Sequence, residues 1–161
     1  MKAAVLIAMM VVGLGGRYAQ AEVPITHLAN SDNWSAFFDG HCYLAEATAF
    51  LSFQNKDDFV VMVLFDRNWS LPKYVKGAVA ISVGHWTASL KSDGNDQNKL
   101  IYIINRNFSV QLFDAMQNSD AINVTVGRAL PRPISLIDSK ETIEAFRRCA
   151  GIPDTPPNPF E

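Results

Sequence analysis

The chain has 161 residues, 48% of them hydrophobic, with 16 acidic against 14 basic side chains and two cysteines. That size suits one domain around one core, and a formal net charge of -2 with no basic run longer than Arg147-Arg148 argues against nucleic acid or an anionic membrane as partner. After the first segment no apolar run approaches the roughly 20 residues of a membrane helix, so no integral membrane span is expected in the mature chain.

Lys2, the apolar "AAVLIAMMVVGLGG" and the small-x-small "AQA" (Ala19, Gln20, Ala21) have the order of an export signal. Residues 1–21 are therefore expected to be a signal peptide, 22–152 a single β-rich domain and 153–161 a Pro-rich tail. Cleavage removes Lys2 and Arg17 and no acids, leaving twelve basic residues of fourteen against sixteen acidic ones. The mature protein is expected in the periplasm or secreted, where disulfides persist.

After an extended lead-in, "NWSAFF" reads as a strand with Trp34, Ala36 and Phe38 on one side. Asp39-Gly40 signals a type I′ hairpin, because both residues tolerate positive φ. "HCYLAEATAF" is read as its return strand in preference to a helix. "DFVVMVLFDR" is apolar on both sides and rich in valine, as in a central buried strand. "NWSLPKYVKG" reads as a loop, "GAVAISVGHWTASL" as one long strand with Gly84 as a bulge, and "KSDGNDQNK" as a polar connection to the strand "LIYIINR".

Phe108, Leu112, Phe113 and Met116 then recur at helical spacing. "AINVTVG" alternates as a half-buried strand, and "LPRPISLID" suits only a sheet edge because of Pro131 and Pro133. Asp138 and Glu141 resemble a capping box opening a last helix, which carries Arg147 and Arg148 in its final turn before Gly151. Ile143 and Phe146 mark its buried side, with Cys149 one turn beyond Phe146 on a neighbouring face. "IPDTPPNPFE" reads as an extended, loosely held tail.

Cys42 beside His41 admits two chemistries. A disulfide to Cys149 would close a loop of more than 100 residues and stabilise the fold by up to ~4–5 kcal/mol through chain entropy. Alternatively, Cys42 as nucleophile and His85 as base would suit an exported cell-wall or peptide hydrolase. The disulfide is preferred, since Cys149 is an obvious partner and no orienting third residue is visible. His85 shares strand parity with Val79, Ile81 and Val83, so a core or rim position is expected for it, and a solvated one for His41.

No metal or cofactor is expected. His27, His41 and His85 are scattered, and Asp93, Asn95 and Asp96 lack the terminal carboxylate of a Ca²⁺ loop. Trp34, Trp69 and Trp86 are read mainly as packing residues, with Trp69, in a loop, the best candidate for an exposed binding contact. Asn-x-Ser/Thr sequons stand at Asn33, Asn68, Asn107 and Asn123.

The order of a signal peptide, a Trp-led strand, "CYLA" (Cys42–Ala45), "INVTVGRA", "SLID" and a closing "IEAFRRC" helix resembles the invasion-associated locus B family of exported bacterial proteins. The likeness covers most of the mature chain and departs from the family at "RALPRPISLID", where the family is richer in Ser and Gly. The resemblance implies that Trp34 and Phe146 are packing positions, that the last helix acts as a lid and that Cys42 and Cys149 form a structural pair. It also implies a non-enzymatic role at the envelope or in host interaction.

The combined expectation is a mainly β, antiparallel β-sandwich-like single domain with two short α-helices, the C-terminal one tied to an early strand. It would bind a protein or envelope component. The Cys42/His85 hydrolase and a secreted inhibitor or immunity-type protein stand as alternatives.

Overall fold

A computed structural model describes residues 25–155, so the expected signal peptide and positions 156–161 of the tail lie outside the described residues. Alternation builds the larger sheet. It contains β1 (Thr26–Asn30), β2 (Trp34–Phe38), β3 (Cys42–Glu46), β4 (Leu51–Lys56), β5 (Phe59–Phe65), β8 (Gly94–Asp96) and β9 (Lys99–Asn105), in the order β1-β2-β3-β4-β5-β9-β8. Antiparallel register sets Ala36 against Leu44, Leu44 against Phe53, Phe53 against Met62 and Met62 against Tyr102. A continuous buried row therefore crosses five strands on one face.

The smaller sheet has the order β11-β10-β6-β7, from β6 (Ala78–Val83), β7 (Trp86–Lys91), β10 (Ala121–Val126) and β11 (Arg132–Ser135). Its inward residues Val79, Ile81, Val83, Ile122, Val124 and Ile134 join the same core. Helix α1 (Arg106–Gln117) packs on β5, β9 and β6, and α2 (Lys140–Ala150) covers β1, β2 and β3. The architecture is thus the expected mainly β, sandwich-like one with two helices.

Three turn expectations need correction. The first hairpin pairs Phe38 with Cys42 across Asp39–His41, and only Gly40 has positive φ (+66°), so the turn is not type I′, which requires two such residues. The stretch from Gly77 to Leu90 is not one bulged strand. Val83 pairs with Trp86 across Gly84-His85, with φ +57° at Gly84, which is the sign pattern of a type II′ turn. The polar connection after Lys91 contains β8, which folds back on β9 through Asp96 and Lys99.

β5 is central, as expected, but is not buried on both faces. Val60, Met62 and Leu64 are buried, whereas Val61, Val63 and Phe65 are half-buried and Phe59 is exposed. The helix starts also differ from each other. Asn105 caps α1 by accepting from Phe108 N at 2.9 Å. The expected Asp138 cap does not form: the N-cap is Ser139, without a side-chain cap bond, and its hydroxyl donates to Leu136 O at 2.6 Å. Gly151 closes α2 in the left-handed conformation at φ 62°, as its position predicts.

Two cross-links fix α2. Cys42 and Cys149 are disulfide-bonded, with Cα atoms 5.9 Å apart. Arg147, only 2% exposed, pairs with Asp114 of α1 at 2.5 Å and with Asp154 at 3.1 Å, and donates to Gln117 Oε1 and Pro153 O. Thr155 also donates to Asp114. Residues 153–155 of the tail are therefore held down, contrary to the expectation of a loose segment. Between the cross-links Phe146 meets Phe113 at 5.2 Å, and Phe113 meets Phe53 edge-on at 5.1 Å. Trp34 and Phe146 are both buried, and Trp34 Nε1 donates to Ser135 O at 2.8 Å, joining the two sheets.

Removing the cation of the Arg147 cluster takes from Asp114 its charged partner and leaves Gln117 Oε1 and Pro153 O without their donor. Arg147→Ala is expected to lower stability by roughly 3–5 kcal/mol in urea unfolding, and a loss below about 1 kcal/mol would show that the cluster behaves as a surface pair. Tyr102 gives a second test. Its hydroxyl donates to Gly77 O at 3.2 Å, and burial pushes the phenol up to about 12 from 10.0. Because the folded value is the higher, the stability it contributes is complete below the unfolded value and is lost as pH rises from about 10 to about 12. Stability measured across that window should fall less steeply in Tyr102→Phe.

Candidate functional site

Cys42 follows the Gly40 turn, points inward as the first residue of β3, and is buried. Its sulfur is bonded to Cys149, and no free cysteine exists among the described residues. His85 sits on the exposed tip of the β6–β7 hairpin, in the other sheet, and is therefore a rim residue and not a core one. No hydrogen bond joins the two, so a thiolate–imidazole pair is not assembled in this structure. His41 is half-buried, with Nε2 3.4 Å from Lys56 Nζ.

Trp69 is half-buried and meets Phe50 edge-on at 6.3 Å. In the acidic loop, Asp93 Oδ2 accepts from Ile103 N at 2.6 Å, Asp96 Oδ1 accepts from Gln97 N at 2.7 Å, and Asn95 Nδ2 donates to Pro72 O at 2.8 Å. All three side chains are engaged in fixing backbone.

Several clefts gather polar side chains from separate elements. One, of about 490 Å³, includes Thr48, Asp66, Arg67 and Arg132. Its groups are mostly engaged internally. Arg132 lies 4.0 Å over the Phe50 ring and donates to Thr48 Oγ1 at 3.2 Å. Thr48 donates to the buried Glu46 carboxylate at 2.5 Å, which also accepts from Phe50 N at 3.3 Å. This relay clamps β11 to the β3–β4 turn.

The larger cleft, about 730 Å³, lies between the β6–β7 tip and the segment running from α1 into β10. Gly84, His85 and Trp86 form one wall, and Asn118, Ser119, Asp120 and Asn123 the other. A Cβ at Gly84 would lie 2.8 Å from Ser119 Oγ, so glycine permits both the turn and the close approach of the walls. Trp86 is half-buried and held edge-on to Phe108 at 5.2 Å. Among the described residues, the side chains of His85, Ser119, Asp120 and Asn123 have no hydrogen-bond partner, nor does Trp86 Nε1. Asp114, at the edge, is engaged by Arg147 and Thr155.

Sequence reasoning considered His85 and Trp86 singly and missed Ser119, Asp120 and Asn123 as a site. The usable signal was "VGHW", because a Gly-led two-residue turn would put His85 and Trp86 at a hairpin end. Comparison of the chain with protein-family models, curated proteins and solved structures gives no match.

Gly84→Ala combines a left-handed φ with a clash against Ser119 and should cost roughly 1–2 kcal/mol. Thermal unfolding checks this, and a variant as stable as the parent would show that the walls are not in contact.

Proposed function

We propose that the protein is an exported, non-enzymatic binding protein, periplasmic or secreted, of the bacterial envelope or secretome. It acts on a protein or envelope component, in the manner of the invasion-associated type that its sequence resembles. The Cys42–Cys149 bond carries this reading. It engages the one sulfur that a Cys/His hydrolase would need, and such bonds persist in oxidising compartments. Two further features support it. No helix among the described residues is long and apolar enough to cross a membrane. The open polar groups come from the β6–β7 turn, the α1–β10 turn and β10 itself, where a rigid scaffold presents them.

Intact mass after alkylation tests the reading. Both cysteines should resist labelling until reduction and then label together, and a native thiol at Cys42 that titrates below the usual thiol range would return the protein to the hydrolase class. Cys42→Ala should melt earlier, with a loss of up to ~4–5 kcal/mol, and still bind once folded.

A further inference from the structure

We propose that the cleft between the β6–β7 tip and the α1–β10 turn is a saccharide-binding site that takes a neutral, hydroxyl-rich ring against Trp86. This rests on the reading of the protein as a binding module and names the ligand class.

The first argument is convergence. Several polar side chains in other loops and strands are occupied: Asp93 and Asp96 hold backbone amides, Gln54 donates to Tyr43 Oη at 2.6 Å, and Glu46 accepts two bonds. In the cleft, His85, Ser119, Asp120, Asn123 and Trp86 Nε1 converge from two walls with no partner among the described residues. Convergent open polar groups beside an aromatic surface are the composition of a site for a polar ligand.

The second argument is the kind of group present. Asp120 accepts, Trp86 Nε1 donates, and Ser119, Asn123 and His85 can each do both. Sugar hydroxyls likewise donate and accept, so a ring can satisfy this mixture without a formal charge. An anion is disfavoured, because no Lys or Arg lines the cleft and the neighbouring Arg147 guanidinium is buried and committed to Asp114, Gln117 and Pro153. The Asp120 carboxylate would repel a phosphate or sulfate directly.

The third argument is preorganisation. The edge contact with Phe108 fixes the Trp86 ring, and the Gly84 tip lies against Ser119. The walls are therefore set before a ligand arrives, which lowers the ordering cost of binding. His85 and Asp120 are exposed and reachable from solvent.

The test is isothermal titration of the disulfide-intact mature protein with three neutral probes: N-acetylglucosamine trimer, cellotriose and maltotriose. A heparin-derived disaccharide is the anionic control. At least one neutral probe should bind saturably below about 10 mM, and more tightly than the control. Asp120→Ala, at an exposed position, should weaken that binding roughly tenfold with unchanged melting, as should Trp86→Phe, which keeps the aromatic packing and loses the indole N–H. Three results would each overturn the proposal: no saturable binding to any neutral probe, preference for the anionic control, or binding indifferent to both variants. A protein partner captured equally well by Asp120→Ala and by the parent would sink the saccharide site and leave the binding-module reading standing, whereas a native Cys42 thiol would remove that reading itself.

Discussion

The bond between Cys42 and Cys149 joins the third strand to the last turn of the final helix across a sequence separation of 107. With that joint closed, α2 lies over the first three strands of the larger sheet and its apolar side completes the core. The loop it closes runs from β3 through β11 and contains the first helix and all of the smaller sheet, so the constraint acts on most of the unfolded chain. Phe146, one turn before Cys149, is thereby set against Phe113, which in turn packs on Phe53 in the middle of the larger sheet.

Arg147 is the ionic counterpart of this covalent joint. Its charge is tolerated in the interior because carboxylate, amide and carbonyl oxygens from α1 and the tail surround it. The same contacts hold the C-terminal part of α1 in place. The turn that leaves α1 is therefore a fixed wall, and the Gly84 hairpin tip closes against it at Ser119. The cleft owes its shape to these two restraints, one between helices through Asp114 and one between a hairpin and a turn at Ser119.

Much of this was legible in the chain. The alternation of "NWSAFF" and "AINVTVG", the Pro-marked edge strand and the Gly151 helix end all appear where short-range physics places them. Arg147 was harder, since a basic residue in the last turn of a helix ordinarily faces solvent and favours the dipole. It nonetheless stands four residues after Ile143 and one after Phe146, on the buried side, and that periodicity was the clue. For Trp69, a loop position did not reveal which ring it folds onto, which is Phe50.

The order of residues was sufficient for the mainly β class, for both helices and for the identity of the disulfide partners, because these rest on side-chain period, chain-end capping and a choice between only two cysteines. Folding in three dimensions settled which apparent strand was a hairpin, which arginine was interior and which polar groups were left open in a cleft. The cleft residues come from positions 84–86 and 118–123. Nothing local links these segments. Pairing of β6 with β10 and the packing of α1 bring them together, and such long-range register is a property of the assembled sheets, not of any short stretch of the chain.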